Sequence, residues 1–415
     1  MSADLHVSKD KTAEILSKDA YSASFNAAGI RRADGAQLPS NSPCEDRFNR
    51  VRPLSLWKGE TWAAAAVFDG HNGWQTAEYL QKELLNAVQR SLDRLEPPSR
   101  NDEMIQRAIE TSFTEFDDSI IQRYIDQANN KDVALDEKIH SMELAMSGSC
   151  ALIILYNPNT KTLYTACTGD SRAVLGQQAL DGMWESMALS EDQKGNNEAE
   201  MTRVRQEHPG EEAATKNGKV LGMVVTRAFG DFPWKASYEM QLEFGRRFYT
   251  HGPMGKDEIL TPPYLIAKPV VTVKKLEGKS PYFVVLASDG LWDMCDNDEV
   301  VDLVVRWVET QPEDNIKSMW PEFKATPETV WWKREVQQSP QYAPGFDFLE
   351  RFEKEFYVGF FQERTAIQDL DNVSVHLLRN ACGGNHRQLL AGKLAFRPPY
   401  SRNVRDDITV QVLFF

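Results

Sequence analysis

The chain has 415 residues, 41% of them hydrophobic, and a net charge of −14. This content suffices for a large core, and no Gly/Ser linker or fixed repeat divides the chain, so we expect one elaborated domain over residues 1–415. The acidic balance argues against nucleic acid or an anionic membrane as the main partner. No apolar run approaches the ~20 residues that a membrane span requires.

The cysteines favour a reducing compartment, and the N-terminal residues bear on targeting. The five cysteines are scattered without a CxxC pair, which supports neither a disulfide framework nor a structural zinc site. The first residues are acidic and contain no arginine, unlike a signal or transit peptide. We therefore expect either a cytosolic protein or a chain that begins after a removed targeting segment.

Two helices and then several strands are predicted in chain order. Apolar residues recur at helical spacing over 77–95 and 104–125, after an apolar run that ends at Phe68. Segments 149–156 and 162–176 read as paired antiparallel strands, and 406–415 alternates as a terminal strand. This order predicts an α+β sandwich with mostly antiparallel sheets. We expect an N-terminal extension over about 1–40 and surface insertions at about 232–262 and 311–345.

Acidic residues stand at or near the ends of several predicted strands. They are Asp69 in "AAAVFDGH", Asp170 in "TACTGDSR", Asp289 in "VVLASDGLWD", the pair Asp406–Asp407 in "VRDDITVQV", and the pair Glu45–Asp46 before the first strand. Each one alone is compatible with an ordinary turn. Together they predict a carboxylate cluster for a hard cation, Mg²⁺ or Mn²⁺, and a bridging aspartate would allow a two-metal site.

His71 lies two positions after Asp69, at the start of a helix, where it could protonate a leaving group. A lone histidine is more often a packed or surface residue than a catalytic one. We interpret His208 and His376 in that ordinary way, as residues of solvated segments.

Six segments together resemble the metal-dependent serine/threonine protein phosphatases of type 2C. They are, in order, "FDGHNG", "SGSCALI", "TGDSRAVLG", "VTRAFGD", "VVLASDGLWD" and "RDDITV". The resemblance implies a four-layer α-β-β-α sandwich with two antiparallel sheets between helix pairs. It also implies a centre of two Mg²⁺ or Mn²⁺ ions and hydrolysis by direct attack of a metal-bound water, without a phosphoenzyme.

The resemblance further implies a role for each motif residue. For the metals, Asp69 would bridge the two ions and the Gly70 carbonyl would serve one of them. Asp289 and Asp406 would complete the coordination of the second ion, and Asp170, with Asp289, would hold a weaker third metal. For the reaction, Asp46 would orient the attacking water, Glu45 would hold further waters, and His71 would act as general acid.

One position departs from the family pattern. The family's phosphate-binding arginine would stand four residues before the Glu45–Asp46 pair, where this chain has Asn41. Asn41 and Arg47 are therefore the candidates for holding the substrate phosphate, and three further arginines lie near motifs: Arg31, Arg32 and Arg405. An arginine would suit a bidentate phosphate contact.

A second Asp-Asn signature, "LDNVSVHLL", resembles the last family motif more literally than "RDDITV" does. The residues after Asn372 have helical spacing, whereas those after Asp407 alternate as a strand. We therefore assign the metal ligand to Asp406 and interpret Asp371 as a helix N-cap.

A narrower resemblance links the chain to the mitochondrial pyruvate dehydrogenase phosphatase branch, through segments such as "QLPSNSPCEDRF" and "HLLRNACGGN". It implies the phosphorylated E1α subunit of the pyruvate dehydrogenase complex as substrate and the mitochondrial matrix as location, with the cytoplasm as the alternative. Other phosphoprotein substrates and a catalytically silent scaffold stay open as alternatives. A kinase or ATPase is not supported, because no GxxxxGK[ST] or GxGxxG loop is present.

Overall fold

The computed structural model describes residues 9–25, 28–57, 59–97, 100–179, 181–248, 253–256, 258–276, 281–320, 369 and 371–415. The strands are β1 (Tyr21–Ser24), β2 (Arg32–Leu38), β3 (Arg47–Leu56), β4 (Glu60–Phe68), β5 (Gly70–His71), β6 (Gly148–Ser149), β7 (Ala151–Asn157), β8 (Thr162–Thr168), β9 (Arg172–Gln178), β10 (Trp184–Ala188), β11 (Phe229–Gly230), β12 (Val270–Lys275), β13 (Tyr282–Ala287) and β14 (Ile408–Phe414).

The described helices lie before, between and after these strands. They are α1 (Lys9–Ser17), α2 (Gln75–Asp93), α3 (Asp102–Asn129), α4 (Leu135–Met146), α5 (Glu198–Glu207), α6 (Phe232–Lys235), α7 (Tyr238–Phe248), α8 (Asp289–Trp292), α9 (Asn297–Glu309), α10 (Glu313–Met319), α11 (Val373–Ala381) and α12 (Arg387–Ala395), with 3₁₀ helices at Glu212–Gly218 and Tyr400–Asn403. None of them is long and apolar enough to cross a membrane.

Two antiparallel sheets form the centre of the fold. One has six strands in the order β1-β2-β14-β13-β9-β10, and the other has five in the order β12-β8-β7-β4-β3. A third, small sheet has the order β11-β6-β5 and consists of two-residue strands. All pairs within these sheets are antiparallel.

Strand β4 carries a long apolar run because both of its faces are buried. Ala63, Ala65 and Val67 belong to the core between the two large sheets. Their neighbours Ala66 and Phe68 point to the other face, where they pack with α2 and α3. Because both faces of the strand are buried from Trp62 to Phe68, alternation disappears and every position in that stretch is apolar.

The outer faces of both sheets are covered by helices. The five-stranded sheet packs against α2, α3 and α4, and the six-stranded sheet packs against α8, α9, α11 and α12. The predicted α+β class and the four-layer α-β-β-α sandwich are therefore confirmed.

The structure differs from several local predictions. Residues 32–38, expected in an N-terminal extension, form β2 and pair with β14 inside the six-stranded sheet. Segment 162–176 is not one strand: β8 and β9 lie in different sheets, and residues 169–171 connect them. Within 232–262, α6 and α7 pack on the helical layer through Phe232 and Phe244. Residues 321–345 of the other expected insertion lie outside the described residues.

Candidate functional site

Three of the predicted carboxylates meet at one end of the sandwich. Asp69 follows β4, Asp170 lies between β8 and β9, and Asp289 begins α8. One oxygen of each lies within 4.8 Å of the others. The backbone N–H of Asp289 also donates to Oδ2 of Asp69 at 3.4 Å.

This cluster is electrostatically unfavourable without a cation. Burial raises the pKa of Asp69, and the charges of Asp289 and Asp46 raise it further. Burial likewise raises the pKa of Asp289, and the charge of Asp170 adds to the effect. A hard divalent cation takes oxygen ligands and would neutralise these carboxylates, whose charged forms are otherwise disfavoured. The three converging carboxylates therefore suit such a cation.

Asp46 is buried beside this cluster. Its Oδ2 accepts hydrogen bonds from Ser288 Oγ and Thr409 Oγ1, both at 2.7 Å. Burial, followed by the charge of Asp407, raises its pKa. The hydroxyls of Ser288, next to Asp289, and of Thr409, two residues after Asp407, thus orient a carboxylate that comes from a distant part of the chain.

Asp406 lies apart from the three-carboxylate cluster. Its Oδ1 forms an ion pair with Arg402 and accepts the backbone N–H of Asp407 at 2.6 Å. A cation bound by Asp406 would therefore replace an existing ion pair with Arg402.

Asp407 is a structural residue, which the sequence analysis named beside Asp406 but gave no role. Its Oδ1 accepts the backbone N–H groups of Ser40 and of Asn41, the latter at 3.0 Å. Its Oδ2 accepts the backbone N–H of Glu45 at 2.9 Å. Burial would raise the pKa of Asp407, but these N–H donors outweigh burial and lower it. Asp407 therefore fixes the loop that carries Glu45 and Asp46.

Glu45 is bonded on both oxygens. Oε1 accepts the Gly73 N–H at 2.6 Å, and Oε2 accepts Asn41 Nδ2 at 2.9 Å. The backbone of Gly70 passes close by, since a Cβ on Gly70 would lie 2.4 Å from the Glu45 carbonyl oxygen. Glycine is therefore required here for packing as well as for any contact of its carbonyl with a cation.

His71 is held by a carboxylate that sequence reasoning missed. Its Nε2 lies 2.7 Å from Oδ2 of Asp231, which has no solvent exposure. Burial would lower the pKa of His71, but the Asp231 charge and hydrogen bond outweigh burial and raise it. The only sequence signal for Asp231 is its place at the end of the "VTRAFGD" motif.

The small third sheet creates this contact. His71 pairs with Gly148, and Gly148 pairs on its other side with Gly230, the neighbour of Asp231. A Cβ on Gly148 would come within 2.1 Å of His71 Nε2 and 2.4 Å of Asp231 Oδ2. The His71–Asp231 contact therefore requires a glycine between the two side chains.

The amino-acid sequence matches a known family over most of its length. The model for "Protein phosphatase 2C" matches residues 40–320. A protein phosphatase 2C homolog of Schizosaccharomyces pombe is 34% identical over 397 residues, covering 94% of this chain and 81% of the relative.

The chain belongs to the protein phosphatase 2C family.

Two further comparisons agree with this result. The mitochondrial [pyruvate dehydrogenase [acetyl-transferring]]-phosphatase 1 of Saccharomyces cerevisiae is 32% identical, over 93% of this chain and 69% of the relative. The crystal structure of a serine-threonine phosphatase 2C from Toxoplasma gondii has a TM-score of 0.50 at 15% identity, covering 95% of this chain and 99% of that one. The chain is thus a protein-serine/threonine phosphatase, in a family whose activity generally depends on metal.

The candidate phosphate-binding residues of this phosphatase are dispersed. Arg31 is exposed, and Arg32 pairs with Asp34 and stacks on Trp307. Arg47 donates to the carbonyl oxygens of Cys44 and Asp46 and lies over the Trp74 ring. Arg405 is buried, and its terminal nitrogens donate to the carbonyl oxygens of Lys393 and Pro39.

Two interpretations of the sequence need correction. The N-cap of α11 is Asn372, whose side chain accepts the Val375 N–H at 3.0 Å, and not Asp371. His208 and His376 are both buried, not solvated. His208 stacks on Tyr264, and His376 lies in α11, all of whose residues are buried.

Proposed function

We propose that this phosphatase hydrolyses phosphoserine and phosphothreonine in proteins with two Mg²⁺ or Mn²⁺ ions, by direct attack of water on phosphorus. The observation that carries the proposal is the convergence of Asp69, Asp170 and Asp289 within 4.8 Å. Because their charged forms are disfavoured, the cluster needs positive charge to exist as carboxylates.

Four groups would hold the two cations: the carboxylates of Asp69, Asp289 and Asp406, and the carbonyl of Gly70. Asp170 would contribute to a third, weaker site. When bound, such ions lower the pKa of water and neutralise charge on a phosphoryl group. Asp69 suits the bridging role because the charges of Asp289, Asp46 and Asp170 all act on its carboxylate, and because Gly70 follows it directly.

Asp46 and Glu45 would position water. Asp46 is fixed by two hydroxyl donors at 2.7 Å, and Glu45 is fixed by Gly73 and Asn41. Carboxylates that are fixed in this way accept hydrogen bonds from water in a constant direction. This orientation favours an in-line approach of the water to phosphorus. His71, held by Asp231, would donate a proton to the departing serine or threonine oxygen.

For the substrate, we propose the phosphorylated E1α subunit of pyruvate dehydrogenase, which dephosphorylation would activate, in the mitochondrial matrix. The support is the name of the Saccharomyces cerevisiae relative, at 32% identity, together with the branch-specific segments of the sequence. The net charge of −14 gives no support for nucleic acid as a partner.

The experiment compares dephosphorylation of phospho-E1α with that of unrelated phosphoproteins, at equal Mg²⁺ or Mn²⁺ and after EDTA treatment. We expect metal-dependent turnover with a clear preference for phospho-E1α. Equal rates on all substrates would reduce the proposal to a general phosphatase, with a cytoplasmic location as the alternative. Absence of turnover with either metal would favour a catalytically silent scaffold.

A further inference from the structure

A pocket of about 190 Å³ opens beside Asp406. It lies between α8, α11, α12 and the segment that leads into β14. Its lining residues are Gly290, Asp293, Met294, Ala381, Lys393, Arg402, Arg405, Asp406 and Ile408. Because Gly290 directly follows Asp289 and Asp406 is a further proposed metal ligand, the pocket borders the region where the reaction would take place.

The lining contains three cationic side chains and two carboxylates. Lys393 and Arg405 are only 1% and 8% exposed. Nε of Arg405 is buried and has no hydrogen-bond partner among the residues that the structure describes. A positive pocket with an unused, buried N–H suits an oxyanion.

The two predicted phosphate contacts are already engaged elsewhere. Asn41 Nδ2 donates to Glu45 Oε2 at 2.9 Å and to Asp407 Oδ2 at 3.1 Å, which uses both hydrogens of the amide. Nη1 of Arg47 donates to two backbone carbonyl oxygens. Neither side chain is free to turn toward a substrate without breaking these contacts.

Arg402 differs from the arginines that sequence reasoning considered. Its side chain is 49% exposed, and it forms an ion pair with Asp406, the proposed metal ligand. The 3₁₀ helix Tyr400–Asn403 places it at the mouth of the pocket. An arginine in contact with a ligand carboxylate is within reach of a phosphoryl group bound to the same centre.

We propose that Arg402 binds the phosphoryl group of the substrate, in place of the arginine that is absent at position 41, and that Lys393 and Arg405 supply the positive field behind it. This inference rests on the proposed function. The guanidinium presents two parallel N–H donors, a geometry that suits phosphoryl oxygens.

The test compares Arg402→Gln and Arg402→Lys with the wild type at saturating Mn²⁺. For Arg402→Gln, we expect KM for a phosphoserine peptide and the inhibition constant of inorganic phosphate to rise roughly ten- to hundredfold, because charge-assisted hydrogen bonds are lost. Arg402→Lys should recover part of the loss. Inorganic phosphate should raise the Tm of the Mn²⁺-loaded wild type and not that of Arg402→Gln.

Arg397→Gln is the matched control, since Arg397 is exposed on the same segment and does not line the pocket. The inference is overturned if Arg402→Gln keeps the wild-type KM and phosphate inhibition constant. It is also overturned if a higher Mn²⁺ concentration returns both quantities of the variant to their wild-type values. A defect with acidic peptides but not with p-nitrophenyl phosphate would mean that Arg402 binds a substrate carboxylate, which also overturns it. Failure of the proposed function would appear separately, as a wild type without metal-dependent turnover.

Discussion

Nε2 of His71 lies 2.7 Å from Oδ2 of Asp231, across 160 residues of sequence. Since Nε2 is engaged by a buried carboxylate, Nδ1 is the ring atom left for the substrate. The second oxygen of Asp231, Oδ1, is buried without a hydrogen-bond partner among the described residues. A buried carboxylate of this kind gains most from a nearby positive charge, so Asp231 favours the protonated imidazole that acid catalysis requires.

Replacing Asp231 with Asn should therefore separate substrates by leaving group. We expect kcat to fall roughly a hundredfold for a phosphoserine peptide and by less than about threefold for p-nitrophenyl phosphate, because nitrophenolate leaves without protonation. The measurement is the ratio of the two kcat values. Asp371→Asn serves as control, since Asp371 is exposed and uses its backbone carbonyl oxygen, not its side chain, to accept a hydrogen bond from Arg32. Equal losses on both substrates would mean that Asp231 only supports the fold.

Asp407 should act on stability, through the loop at residues 40–45. Asp407→Ala removes the acceptor for the N–H groups of Ser40, Asn41 and Glu45. We expect the free energy of unfolding to fall by about 3 kcal/mol, because buried donors lose a charged acceptor. Urea denaturation measures the change, and Asp371→Ala should lie within about 0.5 kcal/mol of the wild type. An unchanged stability in Asp407→Ala would refute the role of this carboxylate in the loop.

The metal-free protein should become less stable as the pH rises. Burial raises the pKa of Asp46, Asp69 and Asp289 in the folded state. A carboxyl group with a raised folded-state pKa stabilises the fold below its unfolded pKa, and this contribution is lost as the pH rises through the folded pKa. In EDTA, Tm should thus fall between about pH 5 and about pH 8, above the ordinary carboxylate range.

Divalent cations should reverse this trend, because they bind the charged carboxylates and stabilise the folded state by mass action. The stabilisation by Mn²⁺ should be larger at pH 8 than at about pH 5. Thermal denaturation with and without metal measures both slopes, and Asp289→Asn should flatten the slope in EDTA. The same pH slope with and without Mn²⁺ would speak against a cation at this cluster.

Long periodic elements were predictable from the sequence. β4 is apolar from Trp62 to Phe68 because both its faces are buried there, and α2 carries Leu80, Leu84 and Val88 on its buried face. The aspartates that directly follow such strands could be recognised because the apolar strands themselves could be recognised. Because strand ends meet at one end of a sandwich, the approximate location of the carboxylate cluster followed.

The contacts between distant short segments were not predictable. β5, β6 and β11 have two residues each and show no periodicity, so nothing in the sequence placed Asp231 beside His71. Strand β2 also escaped recognition, since it contains Gly35, whose missing side chain makes room for the ring of Tyr21. The function of Asp407 depends on N–H groups of a loop more than 360 residues away.

The most direct test of the two-metal account is calorimetric titration of Mn²⁺ into EDTA-treated, dialysed protein, with phosphopeptide turnover measured on the same samples. We predict saturable binding of at least two Mn²⁺ ions to the wild type, with turnover that rises as the sites fill. In Asp289→Asn, binding should weaken roughly tenfold or more and most turnover should be lost. Full activity and unchanged Mn²⁺ binding in Asp289→Asn would contradict the account.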